Sequence, residues 1–530
     1  MSFANSLQIF YSNLVLKLNI FNKKTKYIIM KKSGLINGAL ILSVGGVFAK
    51  LFSAIYRIAL TRILGGVGIG VYQLIFPIYS LCVVLATAGL PMAISKVIAK
   101  NKESELSVLK KCFMFTGVVA LLLSLVLTIF AKGLASIQGQ KEITICYLIL
   151  APTIILISVS SVLRGYFQGK HNFVPSAVSN IVEQFVKLCV GLILSLSLIS
   201  VGIIAAIIGA VFGIVLSEVV SLLILFLYFK KDKLHDDKKS NVTVKQIAQD
   251  VMPITLTNIV LPISSFIDSI LVVNLLSLNF SNDMSVFLYG LESGAVSSLV
   301  GLPTIFSFAI ASVILPNITH EKNINNRNNK LSFALKIVLV ITVPCVICFA
   351  LVPHRLLGVL YNNRLNAFGI NGIKIASTLL VWSGFGVVFL AINQIYSSCL
   401  QAVDERFITI RNLTIGVVAK FIIEILFMPN RFLNIYTLAV ANTICYLLVM
   451  VLNHVEIKQH FKIKINYMFG AKLVFANCLM VLSLVLIMSI SKSSTNTLFA
   501  VVCAIVVYFT TLWQIKIVNR RDKALMKYRV

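Results

Sequence analysis

Acidic residues are scarce in this chain: 18 Asp and Glu against 47 Lys and Arg in 530 positions, with all charged types together at 12%. A soluble protein carries about 25% charge, so a water-exposed globule of this length is excluded. Histidine and tryptophan are also few, at 6 and 2. The acids stand singly and the histidines, such as His171, His320 and His460, fall at loops and segment ends. No metal-ligand spacing, nucleophile elbow or phosphate-binding loop can be found. The reading is of a protein that is not an enzyme and holds no cofactor. The ten cysteines lie in or beside apolar runs, and Cys345 and Cys348 form a CxxC without a βαβ context. They read as small buried residues, not as a redox or metal site. Polar stretches long enough for a separate soluble domain are missing as well.

Apolar residues fill the space, at 58% of the chain. They fall in runs long enough to cross a hydrocarbon core of about 30 Å, which takes about 20 helical residues. Fourteen membrane spans are expected: 34–60, 70–95, 112–131, 143–163, 173–199, 201–229, 250–276, 285–316, 332–352, 375–399, 408–429, 434–455, 470–490 and 496–515. With the N-terminus in the cytoplasm, most Lys and Arg fall in cytoplasmic segments, as the positive-inside rule asks. The net charge of +29 then reports topology and contact with anionic headgroups, not nucleic acid. Both ends are expected in the cytoplasm of a multi-pass protein of the bacterial cell membrane.

The chain divides at KKDKLHDDKKSNVTVK, its most polar stretch. The expected layout is a basic N-terminal segment at 1–33, a six-helix lobe at 34–230, a cytoplasmic linker at 231–249, a second six-helix lobe at 250–456, and two further helices with a basic tail at 457–530. Residues 1–29 have the character of a basic amphipathic segment on the inner leaflet. Met30-Lys31-Lys32 also has the look of a start site, which would make them dispensable. Two short matches support a repeat. Ser160-Ser161-x-Leu163-Arg164 recurs as Ser397-Ser398-x-Leu400-Gln401, and the Gly70–Lys100 stretch has a counterpart from Gly290 to His320. Shifts of this size suit six-helix units of equal orientation, related by an axis along the membrane normal. Prolines at 77, 91, 152, 253, 262, 303 and 344 are candidate bend points.

Charges inside apolar runs are costly and mark function. Lys50 and Arg57 stand seven apart on the first span with no acid within four residues after either. They share a helix face and suit an anion: Arg offers a bidentate fork and Lys a point charge, a natural match for a diphosphate. Glu183 and Lys187, and Lys420 and Glu424, are spaced i,i+4 and are able to neutralise each other on one helix face. Asp268 has no local partner. It pairs with Lys420 or holds a coupling cation. Glu218 and Glu292 complete the set.

RGYFQGKHNFVPSAVSNIVEQ, Arg164 to Gln184, and the stretch from Lys31 through Tyr79 resemble bacterial polysaccharide-type flippases of the multidrug/oligosaccharidyl-lipid/polysaccharide exporter superfamily. The likeness extends to its stage V sporulation protein B and lipid II flippase branch. TAGLPMAISKVIAK, Thr87 to Lys100, fits too. The resemblance implies an all-α integral membrane fold of about fourteen helices, with two pseudo-symmetric six-helix lobes around a central cavity and two C-terminal helices. It implies export of a lipid-linked glycan such as the peptidoglycan precursor lipid II, with cell-wall or spore-cortex synthesis proteins as partners. Sodium, protons or the membrane potential would drive it. The family's cavity arginines are matched in part. Lys50 stands at one first-helix position, and Tyr56 at the other with Arg57 beside it. Leu81 and Cys82 occupy the second-helix region, and Glu292 stands on the eighth. Lys50, Arg57, Glu183 and Gln184 are the candidate cavity residues, Asp268 and Lys420 the candidate ion-coupling or cavity pair, and Arg164 and Gln168 the candidate gating residues at the fourth-to-fifth helix junction. A cation-coupled drug exporter of the same superfamily and a non-transporting envelope scaffold are the alternatives. The first would prefer aromatic and acidic lining to Lys50 and Arg57.

Overall fold

The computed structural model describes residues 34–100, 104–232, 242–319, 321–462, 467–490 and 493–517. The readings for the first 33 residues, the middle of the linker (233–241) and the last 13 residues lie outside that set. Among the described residues the fold is all helical, with a single isolated bridge between Ala367 and Ile370. In chain order the helices are α1 (Gly34–Thr87), α2 (Leu90–Lys100), α3 (Glu105–Ile137), α4 (Thr144–Gly169), α5 (Val174–Leu198), α6 (Ile203–Lys230), α7 (Val244–Leu276), α8 (Asn282–Gly290) and α9 (Ser297–Thr319). They continue with α10 (Ile324–Leu351), α11 (Pro353–Tyr361), α12 (Gly372–Ala402), α13 (Arg406–Phe427), α14 (Tyr436–His460), α15 (Tyr467–Ile490) and α16 (Ser494–Gln514).

Twelve stretches are long and apolar enough to cross a membrane. The first of them, Ile41–Ala99, takes in two of the fourteen expected spans. α13 covers another, but it carries Arg406, Arg411, Lys420 and Glu424 in 22 residues and is not among the twelve. Large apolar side chains stand exposed along these helices, among them Leu122, Phe130, Ile193, Leu227, Leu426, Leu486 and Phe499. In a soluble protein such a surface would aggregate; facing lipid it is at home, and this is a multi-pass membrane protein.

α1 runs for 54 residues, about 80 Å at 1.5 Å per residue, far more than the roughly 30 Å of hydrocarbon. It breaks at Gly65, whose φ is 70° and ψ −174°. An L side chain there would be strained, and a Cβ would come within 2.9 Å of the Arg364 carbonyl oxygen. The expected 70–95 span is itself interrupted at Gly89 (φ 82°), just before α2. The prolines behave otherwise: Pro77, Pro152 and Pro344 lie within unbroken helices. The expected 285–316 span is also divided, by a π-helical segment at Leu291–Val296 between α8 and α9.

The halves meet where α1 crosses α8 and the π segment. A Cβ on Gly290 would come 2.5 Å from the Gly70 Cα and 2.7 Å from the Gly66 carbonyl oxygen, and one on Gly70 would come 2.2 Å from the Val286 carbonyl oxygen. These are backbone-on-backbone approaches that only glycine permits. They are also reciprocal. Gly70 and Gly290 are the leading residues of the repeat seen in the sequence, and residues 66 and 286 stand four before them. Gln73 Nε2 likewise donates at 2.8 Å to the carbonyl of Ser293, 220 positions along the chain. The contacts join positions related by the shift of the sequence repeat, Gly70 with Gly290 and Gln73 with Ser293. Around them lies the largest apolar core, with Tyr56, Leu60, Ile69, Tyr72, Phe287, Leu291 and Tyr361 among its members.

Candidate functional site

The sequence places its intramembrane charges on six helices, and the fold gathers most of them into two buried clusters. In the first half, α4 carries Arg164, α5 carries Glu183 and α6 carries Glu218. Arg164 Nη2 donates to Glu183 Oε2 at 2.7 Å and to Ser221 Oγ at 2.9 Å, and its Nε to Ser179 Oγ at 3.3 Å. Gln184 Nε2 donates to the other oxygen of Glu183 at 2.8 Å. The carboxylate is thus held by a guanidinium and an amide, a satisfied arrangement for a charge away from water. Glu218 is buried beside it, and its Oε2 has no hydrogen-bond partner. Gln168 ends α4 one turn beyond Arg164. Its side chain is part-buried and bonds to none of the described residues.

Lys187 is not neutralised by Glu183, contrary to the i,i+4 reading. Arg164 has taken that carboxylate, and the Lys187 ammonium lies over the rings of Tyr56 and Phe76, 5.3 and 5.1 Å from their centres. Lys50 lies over the ring of Phe308 at 3.3 Å. Aromatic faces attract a cation without cancelling its charge. Arg57 has no ion pair either, and its guanidinium stands within electrostatic range of Lys187. Among the described residues, then, Lys50, Arg57 and Lys187 are part-buried cations with no carboxylate within ion-pair distance, although Glu183 and Glu218 act on Lys187 from farther off, as Arg57 does. Phe308 belongs to α9, so Lys50 touches the second half of the chain. Ser43 and Ser312 meet across the same helix pair, 3.1 Å between hydroxyl oxygens.

The second cluster is acidic. Lys420 on α13 is buried and its Nζ donates to Asp268 Oδ2 on α7 at 2.5 Å, with Ser264 Oγ at 3.5 Å and Glu424 Oε1 at 3.7 Å. Asp268 Oδ1 and both oxygens of Glu424 lack hydrogen-bond partners. Glu292, in the π-helical segment, is buried and accepts a hydrogen bond from Ser383 Oγ at 2.7 Å, while its Oε2 is unpaired. No group of three or more His, Cys, Asp or Glu among the described residues is arranged to hold a metal ion. The positive charge at this place is the chain's own ammonium. An excess of buried carboxylate over ammonium calls for a proton or a mobile cation, because an unpaired charge away from water costs several kcal/mol, of order 3–5.

Sequence reasoning named the charges and offered the Asp268–Lys420 pairing, which the structure contains, but it missed the other surroundings. Arg164 and Glu183 are 19 apart, beyond any local pairing rule. The rings under the cations gave no signal, since aromatics are frequent on every span.

A family model described as polysaccharide biosynthesis protein matches residues 35–321. "Uncharacterized membrane protein YabM" of Bacillus subtilis (strain 168) is 28% identical over 326 residues, covering 59% of this chain and 61% of that protein. "Stage V sporulation protein B" of the same organism is 26% identical over 352 residues, covering 63% and 68%. The chain thus spans somewhat under two thirds of the first relative's length. Among solved structures, "Lipid II flippase MurJ, inward closed conformation" matches with a TM-score of 0.66 at 18% identity, over 91% of this chain and 100% of that one.

Proposed function

This chain belongs to the polysaccharide biosynthesis protein family, and from that premise we propose that it moves an anionic, lipid-linked saccharide precursor across the membrane. The observation that carries the reading is that Lys50, Arg57 and Lys187 have no ion-pair partner where the two halves meet. Three cations kept out of ion pairs inside an apolar chain are costly unless an anion comes to them. A diphosphate head group has the charge and the oxygens to do so. Its sugars cannot cross hydrocarbon bare, because each buried hydroxyl without a partner costs free energy. A polar route between two helical bodies removes that cost while the lipid tail stays in the bilayer.

In this reading 34–230 and 250–456 are two lobes that rock about their shared axis, with both chain ends in the cytoplasm. The inside-negative potential favours outward movement of an anion by about 2.3 kcal/mol per charge per 100 mV. The Asp268–Lys420–Glu424 cluster would take up a proton or sodium ion to reset the empty carrier. The names of the similar proteins, a sporulation protein and a lipid II flippase, favour a peptidoglycan precursor of the lipid II type and a role in the spore cortex. The test is accessibility of lipid-linked precursor to an external probe, in cells with and without the protein. Exposure of precursor that depends on the protein, and that disappears in a Lys50→Ala/Arg57→Ala/Lys187→Ala variant, supports the proposal. Equal exposure in all three strains overturns it.

A further inference from the structure

A cleft of about 470 Å³ lies beside the break in α1. Its walls are Arg62 and Ile63 from α1, Leu196 and Ile199 from the end of α5, and Asn362 and Arg364 from the 3-10 turn that follows α11. That volume falls within the roughly 300–1,000 Å³ of ligand sites. The lining contains two guanidiniums and no carboxylate. Arg62 and Arg364 are exposed and form no ion pair or side-chain hydrogen bond with the described residues. One wall is apolar, and Leu196 is 57% exposed on the face that the membrane reading gives to lipid. The turn is held in place from behind. The Arg364 carbonyl oxygen abuts Gly65, where even a methyl group would come within 2.9 Å, and Asn362 adopts a left-handed φ of 50°.

We propose that this cleft binds the phosphate of an anionic lipid, with the phosphate between Arg62 and Arg364 and the chain along Ile63, Leu196 and Ile199. An uncharged lipid would leave two guanidiniums unpaired. Free phosphate would use the charges but not the apolar wall. Planar guanidiniums are the side chains best suited to phosphate oxygens. The site has a mechanical consequence, because Arg62 comes from the first half of the chain and Arg364 from the second. A bound lipid ties the halves together at the end where Gly66, Gly70 and Gly290 already touch. With the orientation of the proposed function, that end faces outward and the lipid comes from the outer leaflet. Its source is either bilayer phospholipid or the carried lipid after crossing. The chemistry is the same, and the experiment separates them.

The full chain is purified in neutral detergent, and its unfolding temperature is followed on titration with phosphatidylglycerol, a long-chain prenyl diphosphate, phosphatidylcholine or inorganic diphosphate. The expected result is a rise with one or both anionic lipids, with half-saturation moved about tenfold higher in Arg62→Gln/Arg364→Gln and largely restored in Arg62→Lys/Arg364→Lys. A larger rise with phosphatidylglycerol assigns the site to bilayer lipid; a larger rise with the prenyl diphosphate assigns it to cargo. An equal rise with phosphatidylcholine or with inorganic diphosphate overturns the proposal, as does a titration unchanged in the Gln variant. The measurement reads binding and not transport, so its failure leaves the transport reading standing.

Discussion

The side chains that matter most are those whose charge has no local answer. Replacing Lys187 by Met keeps the stem and removes the charge. The expected outcome is a drop in precursor export of about tenfold or more with unfolding temperature nearly unchanged, since no ion pair or hydrogen bond is broken. Export and thermal unfolding of the same preparation check both halves of that statement. Arg164→Ala should do the opposite: it strands Glu183 beside Glu218, and a buried charge that loses its partner costs about 3–5 kcal/mol. The loss should be largely recovered by Arg164→Met/Glu183→Met, read by unfolding in detergent. Much at this scale was legible in the chain itself. A charge in an apolar run is expensive wherever the run ends up, so Lys50, Arg57, Asp268 and Lys420 stood out unaided. The Asp268–Lys420 pair was among the expected partners and is present, but the partner of Glu183 was not. The i,i+4 spacing of Glu183 and Lys187 is a rule about one helix in isolation, and a guanidinium on α4 outbids it.

Helices are shaped here by glycine more than by proline. Proline attracts notice because it removes a hydrogen bond, yet in α1, α4 and α10 the turns around it hold. Gly65 and Gly89 carry the breaks because only there does the backbone take positive φ between Gly34 and Lys100. Nothing in the residue type told these two from glycines lying in regular helix, since what selects them is the neighbouring turn at Arg364 and the packing of α7. Gly290→Ala tests the reciprocal contact. Its added methyl must displace the Gly70 backbone, and overpacking of this kind costs about 1–3 kcal/mol. Gly70→Ala, which strikes the mate of the same surface, should cost about as much, and the two measured together should cost less than their sum.

For the whole molecule, the contact of Ser43 with Ser312 and of Lys50 with Phe308 joins α1 to α9 at the end opposite Gly66 and Gly290. The proposed rocking of one half against the other would break it. Ser43→Cys/Ser312→Cys should therefore form a disulfide on mild oxidation, given hydroxyl oxygens 3.1 Å apart, and the oxidised protein should lose export and regain it with reductant. Each single-cysteine variant should export normally under both conditions, which separates this bond from the ten native thiols. The succession of apolar spans, and hence an all-helical membrane fold, could be read from the sequence because lipid demands long apolar runs. The way in which the halves lean on each other could not, as contacts between distant helices leave no periodic trace.

The two halves share a pattern of helices but differ in electrical sign. Around the first are Lys50, Arg57, Arg164 and Lys187 against Glu183 and Glu218; around the second, Lys420 stands against Asp268, Glu292 and Glu424. In the proposed carrier, an anionic load and a counter-cation would therefore be drawn to different groups, the load to the basic residues of the first set and the cation to the acidic residues of the second.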